Sequence, residues 1–475
     1  MLDYNYDKTD RNSIFEYSKK IVGHCLRDFK PEAKERSGKG RLGQLVEELF
    51  FGYDVNSNAE ADFAKADMEL KCTPLKLTNK DKLAIKERLV CGMINYKEDW
   101  NKSFEDSHFF NKCLVMLLLF YLDRKGISSL DLKFLFTVLW QLPEKDLLIM
   151  KQDYEIIISK IRNGQAHTLS EGDTMYLGAC RKGQKGESLM EQHGSTVKAP
   201  RRAWSLKMQY MRIVLEEVKE RNTNGTYSNI TIGQKEKTNQ LVLSQDLKTK
   251  TFDQVILGRF TPYMHMDYVE LCGCLHRKCS ALKQKYFAVA NDIVCEKKIG
   301  NVNLSEEFLK AGITMKTIRI QKSGTIKESM SFENIDYQEV YDCDEWFDSR
   351  LYELYSSRFL FVVFKETEGE ITLDNGSKES RYELDDVFFW TMPQSDLKVA
   401  EEYWQNIREC VINNKISPEY FWSIAKKRYF HVRPKATLAA DLTPNPNGGM
   451  ARKYCYWFNS EYVKNIIEHR NEHRI

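Results

Sequence analysis

Residues 62–71 read DFAKADMELK: an aspartate, a glutamate seven positions on, and a lysine two beyond that. The stretch MELKCTPL at 68–75 predicts a short strand. Strand side chains alternate in direction, so Glu69 and Lys71 share one face while Leu70 takes the other. Asp62, arriving from the preceding segment, can then meet them. Two carboxylates offer hard oxygen donors of the kind Mg2+ prefers, alongside waters and a substrate phosphate. A lysine beside them suits a phosphate group whose negative charge develops during reaction. E-x-K alone is common on solvated strand faces, so its neighbours decide the reading.

Upstream, KGRLGQLVEELFFG at 39–52 opens an apolar-periodic helix with two glycines and carries a pair of glutamates. Downstream stands SFEDSHFFNK at 103–112. Together the three stretches resemble the PD-(D/E)xK nucleases, in the branch that holds the mismatch-repair endonuclease MutH and the Sau-type restriction endonucleases that cut GATC. The likeness runs motif by motif through the N-terminal half and continues more weakly to the C-terminus. It implies that Asp62 and Glu69 are Mg2+ ligands, that Lys71 is the catalytic lysine, and that Lys112 is a second lysine near the phosphate. Glu47 matches the family's helix glutamate, which contacts metal-bound water. One extra residue between Glu47 and Gly52 leaves Glu48 as the alternative; Glu47 keeps the G-x-x-x-E spacing from Gly43.

The chain has 475 residues, 42% hydrophobic and 29% charged, which is a globular composition with room for two or three domains. Its start, MLDYNYDKTDRN, is polar throughout and unlike a signal peptide. The strongest apolar run, CLVMLLLFYL at 113–122, is too short to span a membrane and predicts a buried strand. These features suggest a cytoplasmic protein with no membrane partner, and the resemblance implies a bacterial one. A net charge of +3 means that affinity for nucleic acid must come from local lysines and arginines. The twelve cysteines read as free thiols. Cys272, Cys274, His276 and Cys279 have soft-ligand types in tight spacing but lack a second C-x-x-C, and His469 and His473 lie on a helix end without partner ligands, so neither set predicts a metal site.

Between 221 and 240 the sequence RNTNGTYSNITIGQKEKTNQ predicts a linker, giving domains at 1–220 and 246–475 joined by 221–245. The second half reads as a faded copy of the first. EFLKAGITMK at 307–316 aligns without a gap on DFAKADMELK, with Glu307 for Asp62, Thr314 for Glu69 and Lys316 for Lys71. Arg358 falls where Lys112 stands, and KCSALKQKYFAVA at 278–290 offers no helix glutamate. Threonine is a poor Mg2+ ligand, so one active centre per chain is expected, in the N-terminal half.

For DNA reading, HVRPKA at 431–436 followed by YWFN at 456–459 is similar to the family's R-P-K-and-aromatic pattern that contacts GATC bases. Arg433, Pro434, Lys435 and Tyr456 are the candidates there, since arginine suits bidentate contact with guanine. In the first half the candidates are Arg181, Lys182, Arg201, Arg202 and Trp204, with Lys39 and Gly40 ahead of the glutamate helix. The fold expected is α/β: two tandem restriction-endonuclease-like domains, each a mixed β-sheet flanked by helices, the second a degenerate copy, with 140–175 helical as an insertion. The resemblance implies a type II restriction endonuclease cleaving double-stranded DNA at GATC with Mg2+. A second copy of the chain on DNA and a GATC methyltransferase would be its partners, and the C-terminal copy would bind a second GATC as effector. A mismatch-repair nickase and a non-cleaving DNA-binding regulator are the alternatives.

Overall fold

The computed structural model describes residues 4–35, 41–53, 61–78, 81–182, 188–222, 239–296, 299–326, 328–434 and 441–470. The chain forms two compact units: Met1–Leu169 with Thr174–Lys237, and Ser170–Asp173 with Thr238–Ile475.

In the first unit the strands are β1 (Glu69–Leu77), β2 (Leu83–Ile85), β3 (Leu89–Met93), β4 (Val115–Leu122), β5 (Phe134–Gln141), β6 (Leu177–Arg181), β7 (Leu189–Gln192), β8 (Ser195–Pro200) and β9 (Arg202–Leu206). They build a four-stranded mixed sheet in the order β2-β1-β4-β5, a three-stranded sheet β3-β9-β6, and the hairpin β7-β8. β1 and β4 lie at the centre of the first sheet and run parallel, with Glu69 opposite Met116 and Lys71 opposite Leu118. From Val115 to Phe120 every β4 residue is buried, as expected for a strand covered on both faces. One face of this sheet packs Leu70, Leu117 and Leu119 against Phe50, Phe51 and Phe63. Burial of each such side chain is worth about 1.5–3 kcal/mol, enough to hold a short helix that would not be stable alone.

The second unit contains β10 (Thr314–Ile320), β11 (Met330–Asn334), β12 (Arg358–Thr372), β13 (Lys378–Thr391), β14 (Phe430–Arg433), β15 (Leu442–Pro444), β16 (Met450–Arg452) and β17 (Cys455–Phe458). Its strand orders are β10-β12-β13, β11-β17-β14 and β15-β16. Strand for strand this follows β1-β4-β5, β3-β9-β6 and β7-β8, and the parallel pair recurs with Thr314 opposite Phe359. The correspondence extends to single bonds. The Tyr96 hydroxyl donates to the Pro200 carbonyl, and the Tyr337 hydroxyl to that of Arg452, both at 2.6 Å. The long helices Glu144–Arg162 and Gln394–Ile412 both start after a proline and end on an asparagine, Asn163 and Asn413.

Three expectations need correction. The stretch 140–175 is not helical throughout: Trp140 belongs to β5 and pairs with Met116, the α-helix covers Glu144–Arg162, and short 3-10 turns follow. The expected linker 221–245 is too long at its C-terminal end, because Leu241 and Val242 are buried in the second unit. Arg358 is not the counterpart of Lys112. Lys112 lies in the helix His108–Cys113, capped by Ser107, whereas Arg358 opens β12, is 2% exposed and donates to Asp253 at 2.6 Å. Counted from the matching cap Ser349 of the helix Arg350–Tyr355, the position of Lys112 falls on Leu354.

Glu307, which aligns with Asp62 in sequence, is tied into the fold of the second unit. It is fully buried and accepts from the Leu241 N–H at 3.0 and 3.1 Å and from the Val242 N–H at 3.1 Å. Glu307→Ala leaves buried donors unsatisfied and should cost about 2–3 kcal/mol. A chemical-denaturation profile with an unchanged midpoint would show that this carboxylate is not structural.

Candidate active site

The glutamate helix begins as an α-helix over Arg41–Leu45 and continues as a π-turn over Val46–Phe50. Its signature is the Phe51 N–H donating to the Val46 carbonyl at 3.0 Å, a five-residue step. Single π-turns accommodate one extra residue within a helix and often occur at functional sites. The helix ends at Gly52, whose φ of +66° and whose closeness to the Tyr4 ring, 2.9 Å from where a Cβ would stand, both require glycine.

Asp62 is brought to the strand by a tight reversal. The Phe63 N–H donates to the Met68 carbonyl at 3.0 Å, and Asp67 takes a left-handed conformation with φ 44°. In the second unit the corresponding turn uses Gly312, with φ 71°. Arg11 braces the reversal, its Nε donating to the Ala66 carbonyl at 2.6 Å and its Nη2 to that of Asp67 at 3.2 Å. Asp62 and Glu69 are then cross-linked through the backbone. The Leu70 N–H donates to Asp62 Oδ2 at 2.9 Å, and the Asp62 N–H to Glu69 Oε2 at 3.3 Å.

Glu69, only 4% exposed, lies between two cations: Lys71 Nζ is 2.6 Å from its Oε1, and Lys112 Nζ is 4.0 Å from its Oε2. Burial alone would lower the pKa of Lys71, but the charge of Glu69 and the hydrogen bond to it outweigh this, so Lys71 holds its proton more tightly than a free lysine. Asp62 is pushed up by burial and by the charge of Glu69, against the pull of Lys71. Glu47 is raised to about 7, first by burial and then by Asp62 and Glu69. Glu47 thus lies within electrostatic range of the carboxylate pair. Among the described residues no three His, Cys, Asp or Glu side chains already form a ligand set. Nevertheless, Asp62, buried and crowded by the charge of Glu69, is short of positive charge, and with Glu69 it offers the hard oxygens that fit a divalent cation.

The sequence-based DNA candidates fare unevenly. Arg202 is 2% exposed and donates to the Ala179 carbonyl at 2.5 Å and to that of Leu169. Trp204 is 1% exposed and stacks on Tyr154 with ring centroids 5.0 Å apart. Tyr456 is likewise buried. These three are core residues, which corrects the expectation that they meet DNA: β9 and β17 are central strands, covered on both edges by partners. Arg181 and Lys182 are half-buried at the end of β6, Arg201 is exposed, and Pro434 is half-buried. Arg433 is exposed, its guanidinium 4.1 Å from the centroid of Trp457, and its carbonyl accepts from Trp457 Nε1 at 3.2 Å. Lys39, Gly40 and Lys435 lie outside the described residues, as does His473, while His469 only caps the last helix. Sequence reading missed His431, which is fully buried beside Trp457 with both ring nitrogens unpaired and its pKa lowered to about 4 by burial and then by Arg433.

In the second unit the aligned positions carry different groups and partners. Lys316 donates to the Ser331 carbonyl at 2.8 Å and lies 4.9 Å over the Phe332 ring. Counted back from the left-handed residues Gly52 and Glu296 that follow the two helices, Glu47 corresponds to Asn291, whose Oδ1 accepts from the Val302 N–H at 2.7 Å.

A raised carboxyl in the folded state binds protons that the unfolded chain has already released, so Glu47 makes the metal-free protein less stable as pH rises from about 4.5 to about 7. Glu47→Gln should flatten the melting temperature over that window; an unaltered profile would place Glu47 away from the carboxylate pair.

A family model described as "MutH: DNA mismatch repair enzyme MutH" matches residues 51–153, the span holding Asp62, Glu69, Lys71 and Lys112. The chain is also 29% identical over 513 aligned positions to the type II restriction enzyme Sau3AI of Staphylococcus aureus, covering 96% of this chain and 98% of that one. With the acidic pair and two lysines brought to one strand end, these likenesses support a Sau3AI-like restriction endonuclease related to MutH.

Proposed function

We propose that the first unit hydrolyses phosphodiester bonds of double-stranded DNA at GATC, through a Mg2+-dependent centre formed by Asp62, Glu69, Lys71, Lys112 and Glu47. The observation that carries it is the arrangement around Glu69, with a second carboxylate and two lysine ammonium groups converging at the end of β1. Mg2+ bound by Asp62 and Glu69 supplies positive charge against the phosphate oxygens. Lys71, held protonated by Glu69, adds charge on the phosphate rather than removing a proton from water. Lys112 approaches from the other oxygen of Glu69 and does the same from the helix side. Glu47 offers the acceptor that orients the attacking water. The new bond joins the water oxygen to phosphorus, the bond to the 3'-oxygen breaks, and the water's proton balances the leaving 3'-hydroxyl, with phosphate retained on the 5' side.

GATC is palindromic and the chain carries one complete centre, so a double-strand break calls for two chains about a two-fold axis or for two successive nicks. In this reading the second unit is a catalytically degenerate copy that binds a further GATC as effector, with Arg433 on its surface as the base-contacting candidate. A cognate GATC methyltransferase would protect the host.

Incubation with plasmid and Mg2+ tests this. Linear fragments ending at GATC are expected; nicked circles would indicate a mismatch-repair nickase, and a retarded band without cuts a regulator. Lys71→Ala should lower cleavage at least ~100-fold, the usual scale for losing one charge-stabilising group, while DNA binding in Ca2+ persists. Lys316→Ala should cleave like wild type. Equal loss in both variants would overturn the assignment of one live centre.

A further inference from the structure

A cavity of about 680 Å3 opens beside the acidic pair and is lined by Arg11, Lys65, Asp67, Asn111 and Lys112, among others. Three cations face one carboxylate there. Lys112 is shared with the centre, since its ammonium lies 4.0 Å from Glu69. Arg11 is fixed in place by the carbonyls of Ala66 and Asp67. Lys65 and Asn111 are exposed, and among the described residues neither side chain is engaged in a hydrogen bond or ion pair. The second unit supplies the contrast: the residue matching Lys65, Lys310, is folded down onto Glu306 at 2.5 Å and is 5% exposed. The unit that keeps the acidic pair therefore also keeps its matching lysine in open solvent.

We propose that this cavity is a subsite for a backbone phosphodiester flanking the scissile one, with Lys65 as the point charge and Asn111 as a neutral donor. The inference rests on the nuclease reading above and adds a residue pair to it. Donors of this kind position the duplex without reading sequence. A nucleotide-sized opening directly beside Lys112 leaves the neighbouring phosphate of the bound strand as the natural anion to fill it. Asp67 at the rim excludes a second phosphate by like charge and limits the subsite to one.

Lys65→Ala should weaken binding of GATC duplex in Ca2+ about tenfold, the scale of one charge-assisted contact. The slope of log affinity against log salt should shrink by about 0.9, as for one lost phosphate contact. Because Lys65 is exposed, the variant should melt like wild type. Duplexes carrying a single neutral methylphosphonate, moved along the strand, provide the sharper readout. At one position next to the cut, wild type should lose affinity while Lys65→Ala loses no more; an additive loss at every position would overturn the proposal. Wild-type protein that binds and cuts while Lys65→Ala matches it in affinity and salt slope would sink the subsite alone. Wild type that neither binds nor cuts would sink the nuclease reading and the subsite with it.

Discussion

The parallel pairing of β1 with β4 is the constraint on which the rest depends. It places Glu69 opposite Met116, so that the residues just before β4 arrive at the same strand end as the acidic pair. Parallel neighbours cannot be joined by a tight turn, and the crossover here delivers the helix His108–Cys113, and with it Lys112, directly into that end. A lysine placed by helix and a lysine placed by strand thus flank one carboxylate from opposite sides. Without them, Asp62, Glu69 and Glu47 would be like charges crowded into a partly buried space, an arrangement that favours protonation or unfolding.

The second unit shows the same frame relieved of that tension. Where Glu69 stands it has Thr314; where Asp62 stands it has Glu307, turned inward onto backbone donors of 241–242; where Lys112 stands it has Leu354. The two charged groups at the aligned positions, Glu307 and Lys316, both have fixed partners inside the fold. The strand orders survive because they rest on apolar pairing, which is indifferent to the polar end of the sheet.

Much of the site was legible because its signals are local. DFAKADMELK carries its own strand, turn and charges within ten residues, and SHFFNK its own helix cap. The parts that misled depend on partners distant in sequence. Arg202, Trp204 and Tyr456 look like surface readers in a basic and aromatic stretch, yet β9 and β17 each lie between two other strands, and carbonyls of Leu169 and Ala179 take up the guanidinium of Arg202. Arg358 was misplaced by one alignment gap, which only the shared cap positions Ser107 and Ser349 resolve. Spacing from Gly43 favours Glu47 over Glu48, but nothing in that spacing anticipates the π-turn over Val46–Phe50 that carries both.

That π-turn also bears on how the chain tolerates a change in length. An inserted helical residue ordinarily rotates everything after it by about 100° and carries the following segment off its packing surface. Here the five-residue step at Val46–Phe50 holds one residue more than a regular turn, and the chain still reaches Gly52 against the Tyr4 ring. The frame downstream of the helix, including the reversal that delivers Asp62, is thereby insulated from the number of residues upstream.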